Sequence, residues 1–373
     1  MRNSPLFKEL RKVKGARRRF DRPPQSEVLI YDAENSSALA QILCVHNSVF
    51  VLVTRGAEVW LNPGTIWRTA TNLLRGFSPA LAYASAIVRQ VRPHTAITYI
   101  DNSHNFHVLA SLCGNIRFLA IQNGNRFPYP ESTLPPNTVW SSEMALWSRF
   151  EADSYCAQRT YFKRVHVTGS LKSELCRPEE AAHGSATEEF DLCVIGGAFH
   201  PDQGPEWYAE FKFFCEQLAT FLNRNEGLSG CVALRTPSVS SHHSEETAFY
   251  RRYLDPRWVL LPRKDEYSSY RAIDASRLSL STGSSLSIEA LGRGKRALIW
   301  HPLRRPDGPL RFRSDLILCQ EPREAFESRI FSLLKMSDAE FSQKYKRDVA
   351  YLCEPVRNAA TRGLLKGVGT SST

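Results

Sequence analysis

The chain of 373 residues is 42% hydrophobic and 23% charged, with 7 Trp, 13 Tyr and 20 Phe, enough apolar material for a packed core and too much for a disordered chain. At about 100–200 residues per domain the length predicts two domains, and no apolar run reaches the ~18 residues of a membrane-spanning helix. The net charge of +10 is uneven: residues 1–23 hold nine Arg or Lys against Glu9 and Asp21, so the rest of the chain is close to balanced.

A cationic arm ending in Arg17-Arg18-Arg19-Phe20 is attracted to anionic lipid or phosphate, or is simply solvated. No basic groove interleaved with aromatics continues into the body, which disfavours nucleic acid. The expected partner of residues 1–23 is an anionic membrane surface. The nine cysteines are scattered and form no CxxC, so they read as small hydrophobes rather than a disulfide or metal framework. With no apolar run after the N-terminal charges, the expected location is the reducing cytoplasm, with attachment to the inner face of the membrane through the arm.

From Pro23-Pro24 onward, short β-branched runs alternate with longer helical patterns, the rhythm of βαβ units and parallel sheets. Strands are expected at 27–32 and 48–54 with a helix from Ser36 between them. A helix over about 78–91, a strand at 95–101, a helix over about 104–112 and a strand at 116–124 follow. Residues 126–137 form a long loop, and 164–170 a short strand with a Gly turn. The apolar-poor segment 177–189 reads as a linker, after which the rhythm restarts. Strands are expected at 190–197, 231–235, 258–262, 277–282, 296–300 and 315–319, separated by helices over about 205–224 and 245–253, from Tyr267 and from Ser285. Ser337 and Glu340 form a capping-box signature that opens a final helix. The expected organisation is a basic arm (1–24), a doubly wound domain (25–175), a linker (176–189), a second doubly wound domain (190–336), and a C-terminal helix and tail (337–373).

In open parallel sheets ligands bind beyond the carboxyl ends of the strands. Three such ends in the first domain are polar: Asp32 to Ser36, Asp101-Asn102-Ser103-His104, and Gln122-Asn123-Gly124-Asn125-Arg126. Asp and Asn also cap helices and make turns. Glu34 and Asp101 are the candidate general bases toward an acceptor hydroxyl, with Asp32, Asn102, Gln122, Asn123 and Arg126 as acceptor contacts. In the second domain a strand ending at Thr282 runs through Gly283-Ser284-Ser285 into a helix bearing Glu289. A helix start of this kind suits a diphosphate, and Glu289 is placed to accept from ribose hydroxyls. Gly196-Gly197 allow close backbone approach or a plain tight turn. No Walker A, GxGxxG or GxSxG pattern occurs. His104-x-x-His107 lacks a third ligand at a metal spacing, so no metal is expected.

The segments 31–43, 97–110, 118–126, 166–174 and 281–299 resemble bacterial surface-carbohydrate biosynthesis proteins with the two-domain GT-B architecture, which includes capsule glycosyltransferases and the non-hydrolysing UDP-N-acetylglucosamine 2-epimerases. The resemblance implies an α/β, GT-B-like fold of two doubly wound Rossmann-like domains facing across a cleft. It implies a nucleotide-sugar donor on the C-terminal domain, a glycan or lipid-linked acceptor on the N-terminal domain, and transfer without an obligatory metal or other cofactor. By position Thr282, Gly283, Ser284, Ser285 and Glu289 would take phosphate and ribose, with Gly196 and Gly197 near the donor and Gly169 at the interdomain turn. Where many relatives carry His-Pro this chain has Arg235-Thr236-Pro237, leaving Arg235 as a phosphate clamp. The function implied is glycosyl transfer in surface-polysaccharide synthesis; a 2-epimerase of the same fold and a non-catalytic binding protein are the alternatives.

Overall fold

A computed structural model of the chain describes residues 16–34, 39, 49–52, 58–126, 133–176, 188–303, 312–355 and 364. The first fifteen residues of the arm, the helix start expected at Ser36, residues 127–132 of the long loop, residues 177–187 of the linker and nearly all of the tail after Pro355 lie outside them.

The N-terminal domain contains β1 (Arg17–Arg19), β2 (Val28–Ile30), β3 (Val49–Val51), β4 (Glu58–Trp60), α1 (Pro63–Leu74), α2 (Pro79–Val91), β5 (Thr95–Thr98), α3 (His104–Leu112), β6 (Arg117–Ile121), β7 (Val139–Leu146), α4 (Arg149–Ala157), β8 (Tyr161–Val167) and α5 (Leu171–Leu175). Its main sheet is parallel throughout, in the order β3-β2-β5-β6-β7-β8. The central strands are buried on both faces, as in β2 and β5. That explains their uninterrupted apolar runs, since helices must cover both sides of a parallel sheet.

The C-terminal domain contains β9 (Phe190–Ile195), α6 (Pro205–Asn223), β10 (Gly230–Ala233), α7 (His243–Arg251), β11 (Val259–Leu261), α8 (Ser268–Asp274), β12 (Ser276–Ser281), α9 (Ser285–Gly292), β13 (Ala297–His301), β14 (Ile317–Cys319), α10 (Arg323–Lys335) and α11 (Asp338–Leu352). Its six parallel strands run β11-β10-β9-β12-β13-β14, the 3-2-1-4-5-6 order of the doubly wound fold. Trp300 stacks on Phe326 with ring centroids 4.2 Å apart and anchors α10 to the sheet. The capping box predicted at Ser337 and Glu340 is formed.

The last helix crosses back to the first domain. Glu354 donates its backbone N–H to the Trp147 carbonyl at 2.9 Å, and the Tyr351 hydroxyl donates to Asp153 Oδ2 at 3.3 Å. The arm expected over residues 1–24 is tied to the domain at its described end. Arg17–Arg19 pair in parallel with Glu58–Trp60, where the Arg19 guanidinium lies 5.0 Å from the Trp60 ring centroid and 3.7 Å from Glu58. Backbone pairing with β4 and the cation–π and ion-pair contacts of Arg19 thus hold this arginine strand in place. No helix among the described residues is long and apolar enough to cross a membrane.

Candidate functional site

Each sheet has one point where strand order reverses, and ligands of doubly wound folds sit beyond the carboxyl ends of the two strands flanking it. In the N-terminal sheet those strands are β2 and β5, which lead to Asp32-Ala33-Glu34 and to Asp101. In the C-terminal sheet they are β9 and β12, which lead to Gly196-Gly197 and to Thr282-Gly283-Ser284-Ser285. Of the residues singled out from sequence, Asp32, Glu34, Asp101, Gly196, Gly197 and Thr282 to Ser285 therefore lie at the two reversal points, whereas Gln122, Asn123 and Arg126 follow β6 and Arg235 follows β10.

The two edges meet. Asn125, just beyond β6, donates its backbone N–H to Ser285 Oγ, the first residue of α9, at 2.8 Å. A Cβ on Gly124 would stand 3.4 Å from the same oxygen. Ser170 Oγ donates to Glu289 Oε1, and Arg293 Nη1 donates to the Ser173 carbonyl at 2.8 Å. The chain reaches this seam through Gly169 at φ +74°, a left-handed turn that a residue with a Cβ adopts only under strain.

At the start of α9, Gly283 has φ +99°. Ser281 Oγ accepts the N–H groups of Gly283 and Ser284, each at 3.2 Å, and the Ser284 side chain caps the helix by accepting from Leu286. Thr282 to Leu286 are half-buried, and Ser285 among them meets Asn125 across the seam. A helix N-terminus lined by hydroxyls attracts an anion through its dipole and its N–H groups. Arg235 is exposed beyond β10, and its Nη1 lies 3.3 Å from the Gly197 carbonyl. Its loop is fixed by the buried Glu246, which accepts the N–H groups of Arg235 and Thr236 at 2.9 Å and the Thr236 hydroxyl at 2.6 Å.

Several expected contacts have other duties. Asp101 is fully buried and forms a forked pair with Arg126, whose Nε donates to Oδ2 at 2.8 Å and whose Nη2 donates to Oδ1. Arg126 Nη2 also reaches Asn123 Oδ1 at 2.5 Å, and the Asn123 N–H reaches Asp101 Oδ1 at 3.2 Å. Gln122 is buried too, accepting from the Trp147 N–H at 2.7 Å and donating to the Gly124 carbonyl at 2.8 Å. Asp101, Gln122, Asn123 and Arg126 thus brace the loop that presents Asn125. This corrects the expectation that Asp101 is an open base, because both of its oxygens are taken up by the Arg126 fork and the Asn123 N–H inside the fold. Asn102 is half-buried at the start of the same turn.

Glu34 is half-buried, and its N–H donates to Asp32 Oδ1 at 2.8 Å in a local turn that leaves Asp32 buried. It follows β2, which lies two inter-strand spacings from β6, roughly 10 Å. Gly196 and Gly197 serve packing: a Cβ would lie 2.8 Å from the Ala233 carbonyl and 2.3 Å from the Phe211 ring, respectively. Glu289 is buried beneath the seam, where burial raises its pKa and hydroxyls from Ser170 and Tyr270 oppose the rise; Tyr270 donates at 2.8 Å.

His107 is buried, and burial pushes its pKa down to about 4. With Nε2 2.7 Å from the Asp101 carbonyl and Nδ1 2.6 Å from Ser142 Oγ, the neutral ring donates from Nε2 and accepts at Nδ1. Both nitrogens are occupied by the fold. Among the described residues, no group of three or more His, Cys, Asp or Glu could hold a metal. Sequence reading missed Ser170, Tyr270, Arg293 and Glu246. Only Ser170 carried a signal, as the residue after the Gly turn.

The overall fold matches solved structures over almost the whole chain. S. aureus MnaA in a UDP co-structure is 10% identical over 91% of this chain and 95% of its own, with a TM-score of 0.54. A UDP-GlcNAc 2-epimerase from Neisseria meningitidis, bound to UDP-GlcNAc, is 10% identical over 91% of this chain and 98% of its own, with a TM-score of 0.51. The chain has a GT-B-like fold. A family model described as "putative O-antigen biosynthesis protein" matches residues 205–305, the span from α6 through β13 of the C-terminal GT-B domain. No curated protein matches the chain. The seam at Asn125 and Ser285 joins the two domains at the first residue of α9.

Proposed function

We propose that the chain binds a nucleotide-sugar in the cleft between its domains and transfers the sugar to a hydroxyl of a glycan or lipid-linked acceptor during surface-polysaccharide synthesis. The observation that carries this reading is the contact of Asn125 with Ser285, because it brings the polar edge of one sheet to the start of α9 in the other. The family match to an O-antigen biosynthesis protein supports the pathway. The UDP and UDP-GlcNAc bound to two proteins of the same fold support the donor class.

In this reading the first turn of α9, with Gly283 and Ser285, receives the diphosphate, and Arg235 adds a cation from β10. The acceptor oxygen forms the new bond to the anomeric carbon while the bond from that carbon to the phosphate oxygen breaks. The acceptor proton passes to the carboxylate of Glu34, and the electron pair leaves with the nucleotide. The helix dipole and Arg235 meet the charge that develops on the leaving group, so turnover is expected to persist in EDTA. Closure of the two domains excludes the water that would otherwise hydrolyse the donor.

The test is a panel of UDP-, GDP-, CDP- and CMP-sugars with the purified full chain, read as nucleotide release with and without lipid-linked acceptor. Release that requires acceptor is expected, whereas a folded chain that binds none of the panel and releases nothing refutes the reading. A second reading is 2-epimerisation of a free UDP-sugar, favoured by the similarity of the whole chain to UDP-GlcNAc 2-epimerases. It predicts an isomer from the donor incubated alone.

A further inference from the structure

Helix α1 is amphipathic in the wrong sense for a soluble protein. Ile66, Trp67, Ala70, Leu73 and Leu74 fall on one face at helical spacing, and that face points outward: Trp67 is 74% exposed, Leu74 90% and Ile66 54%. The residues it buries are polar, Thr65 and Asn72. They hold α1 to the body through hydrogen bonds, from Gln90 Nε2 to Thr65 Oγ1 at 2.7 Å and from Asn72 Nδ2 to the Ala82 carbonyl at 3.2 Å. The helix is specified with care at its start, where Asn62 caps it by accepting from Thr65 and Pro63 takes the first turn. Its outward apolar face is therefore an ordered feature of the surface.

The rim of this face is cationic. Arg68 and Arg75 are exposed beside Trp67 and Leu74, and α1 contains no acidic residue. Asn62 Nδ2 donates to the Asp21 carbonyl at 3.3 Å, which ties the segment after β1 to the start of the helix. That segment adds exposed Arg22 and Phe20, the latter 69% exposed, next to exposed Arg17 and Arg18 of β1. Asp21 and Glu58 are the acidic neighbours, and both pair with Arg19.

We infer that the outward face of α1, with Phe20 and its arginine rim, is a docking surface for an anionic lipid bilayer. A helix lying in the interface inserts apolar side chains among the acyl chains while cations on its flank meet lipid headgroups. Tryptophan favours that boundary because its ring is apolar at one end and polar at the other. Charge complementarity selects this occupant, since a bilayer supplies both an apolar phase and a negative surface over the area that Trp67, Leu74, Arg68 and Arg75 present. The inference does not depend on the proposed reaction. It extends the membrane contact expected of residues 1–23 to α1, a folded part of the domain.

The experiment is co-sedimentation of the full chain with phosphatidylglycerol vesicles and with phosphatidylcholine vesicles. Three proteins are compared: the unaltered chain, a Trp67→Ser/Leu74→Ser double variant, and an Arg68→Glu/Arg75→Glu double variant. All changed positions are solvent-facing, so equal melting temperatures verify folding. The unaltered chain is expected to partition onto phosphatidylglycerol. The apolar variant is expected to lose roughly tenfold or more of that partitioning, and the charge-reversed variant its preference for the anionic lipid. Partitioning unchanged in the apolar variant overturns the inference, because the arm then suffices. So does an unaltered chain that sediments with neither vesicle. A dimer that dissociates in the apolar variant while lipid binding is unaffected also overturns it and makes a second copy the occupant.

Discussion

Ser170 in the first domain and Tyr270 in the second donate their hydroxyls to one oxygen of Glu289, which is buried where the domains meet. Removing that acceptor strands two buried donors, each worth about 1–3 kcal/mol when left unsatisfied. Glu289→Ala is therefore expected to cost roughly 2–4 kcal/mol in urea unfolding. Glu289→Gln, which keeps an acceptor oxygen and loses the charge that burial disfavours, is expected to cost about 1 kcal/mol or less. Equal losses in the two variants would mean that the hydroxyl pair is not what holds the seam.

The two acids expected as bases from sequence should separate cleanly. Asp101→Asn removes the charge partner of buried Arg126 and is expected to lower stability by about 3–5 kcal/mol. Glu34→Gln is expected to leave stability within about 1 kcal/mol while lowering kcat by roughly 10²- to 10⁴-fold. Unfolding curves and turnover on the same preparations check both. Full activity in Glu34→Gln would remove Glu34 from the mechanism.

Why some of this was legible in the chain and some was not has physical reasons. Strands β2, β6, β9, β10 and β13 are buried over most of their length and are largely apolar, so the alternation of the two doubly wound halves was plain. Strand β7 was missed because Ser141, Ser142 and Glu143 interrupt it. Tertiary partners make those residues tolerable: Ser142 bonds His107, and Glu143 pairs with Arg117 and His166. Strand β1 was missed because three arginines have no strand signal without Trp60 and Glu58 beside them. Helix α1 was overlooked although its caps and spacing were present, since its apolar face does not join the core. At the site, the positions of Asp32, Asp101, Gly196 and Ser285 followed from strand ends. Pairing between distant segments, such as Asp101 with Arg126 or Glu289 with Ser170, has no local sequence signal.

Glu151 gives a pH dependence of known sign. It is fully buried, accepts the Arg126 N–H at 2.9 Å, and has its pKa raised by burial from 4.5 to about 8. The folded chain retains a proton there that the unfolded chain releases, so stability is full below about 4.5 and falls as pH rises toward 8. At about 1.4 kcal/mol per unit this amounts to a few kcal/mol. Glu151→Gln cannot ionise and is expected to melt well above the unaltered protein at about pH 9, and close to it near pH 5. Parallel melting curves across that range would show that Glu151 does not titrate in this way.

Gly283 tests the turn that leads into α9. Its φ of +99° penalises any side chain, so Gly283→Ala is expected to cost about 1–2 kcal/mol. It should also weaken nucleotide binding by more than the fold is weakened, in isothermal titration at a temperature where the variant is fully folded. Unchanged affinity would detach this turn from the ligand.

The most direct measurement is a crystal structure of the full chain grown with a nucleotide-sugar from the panel that binds. The account predicts the diphosphate within hydrogen-bonding distance of the Ser285 backbone N–H at the start of α9, with the sugar directed toward Glu34. A nucleotide bound away from the start of α9, or a sugar facing away from the N-terminal domain, would contradict it.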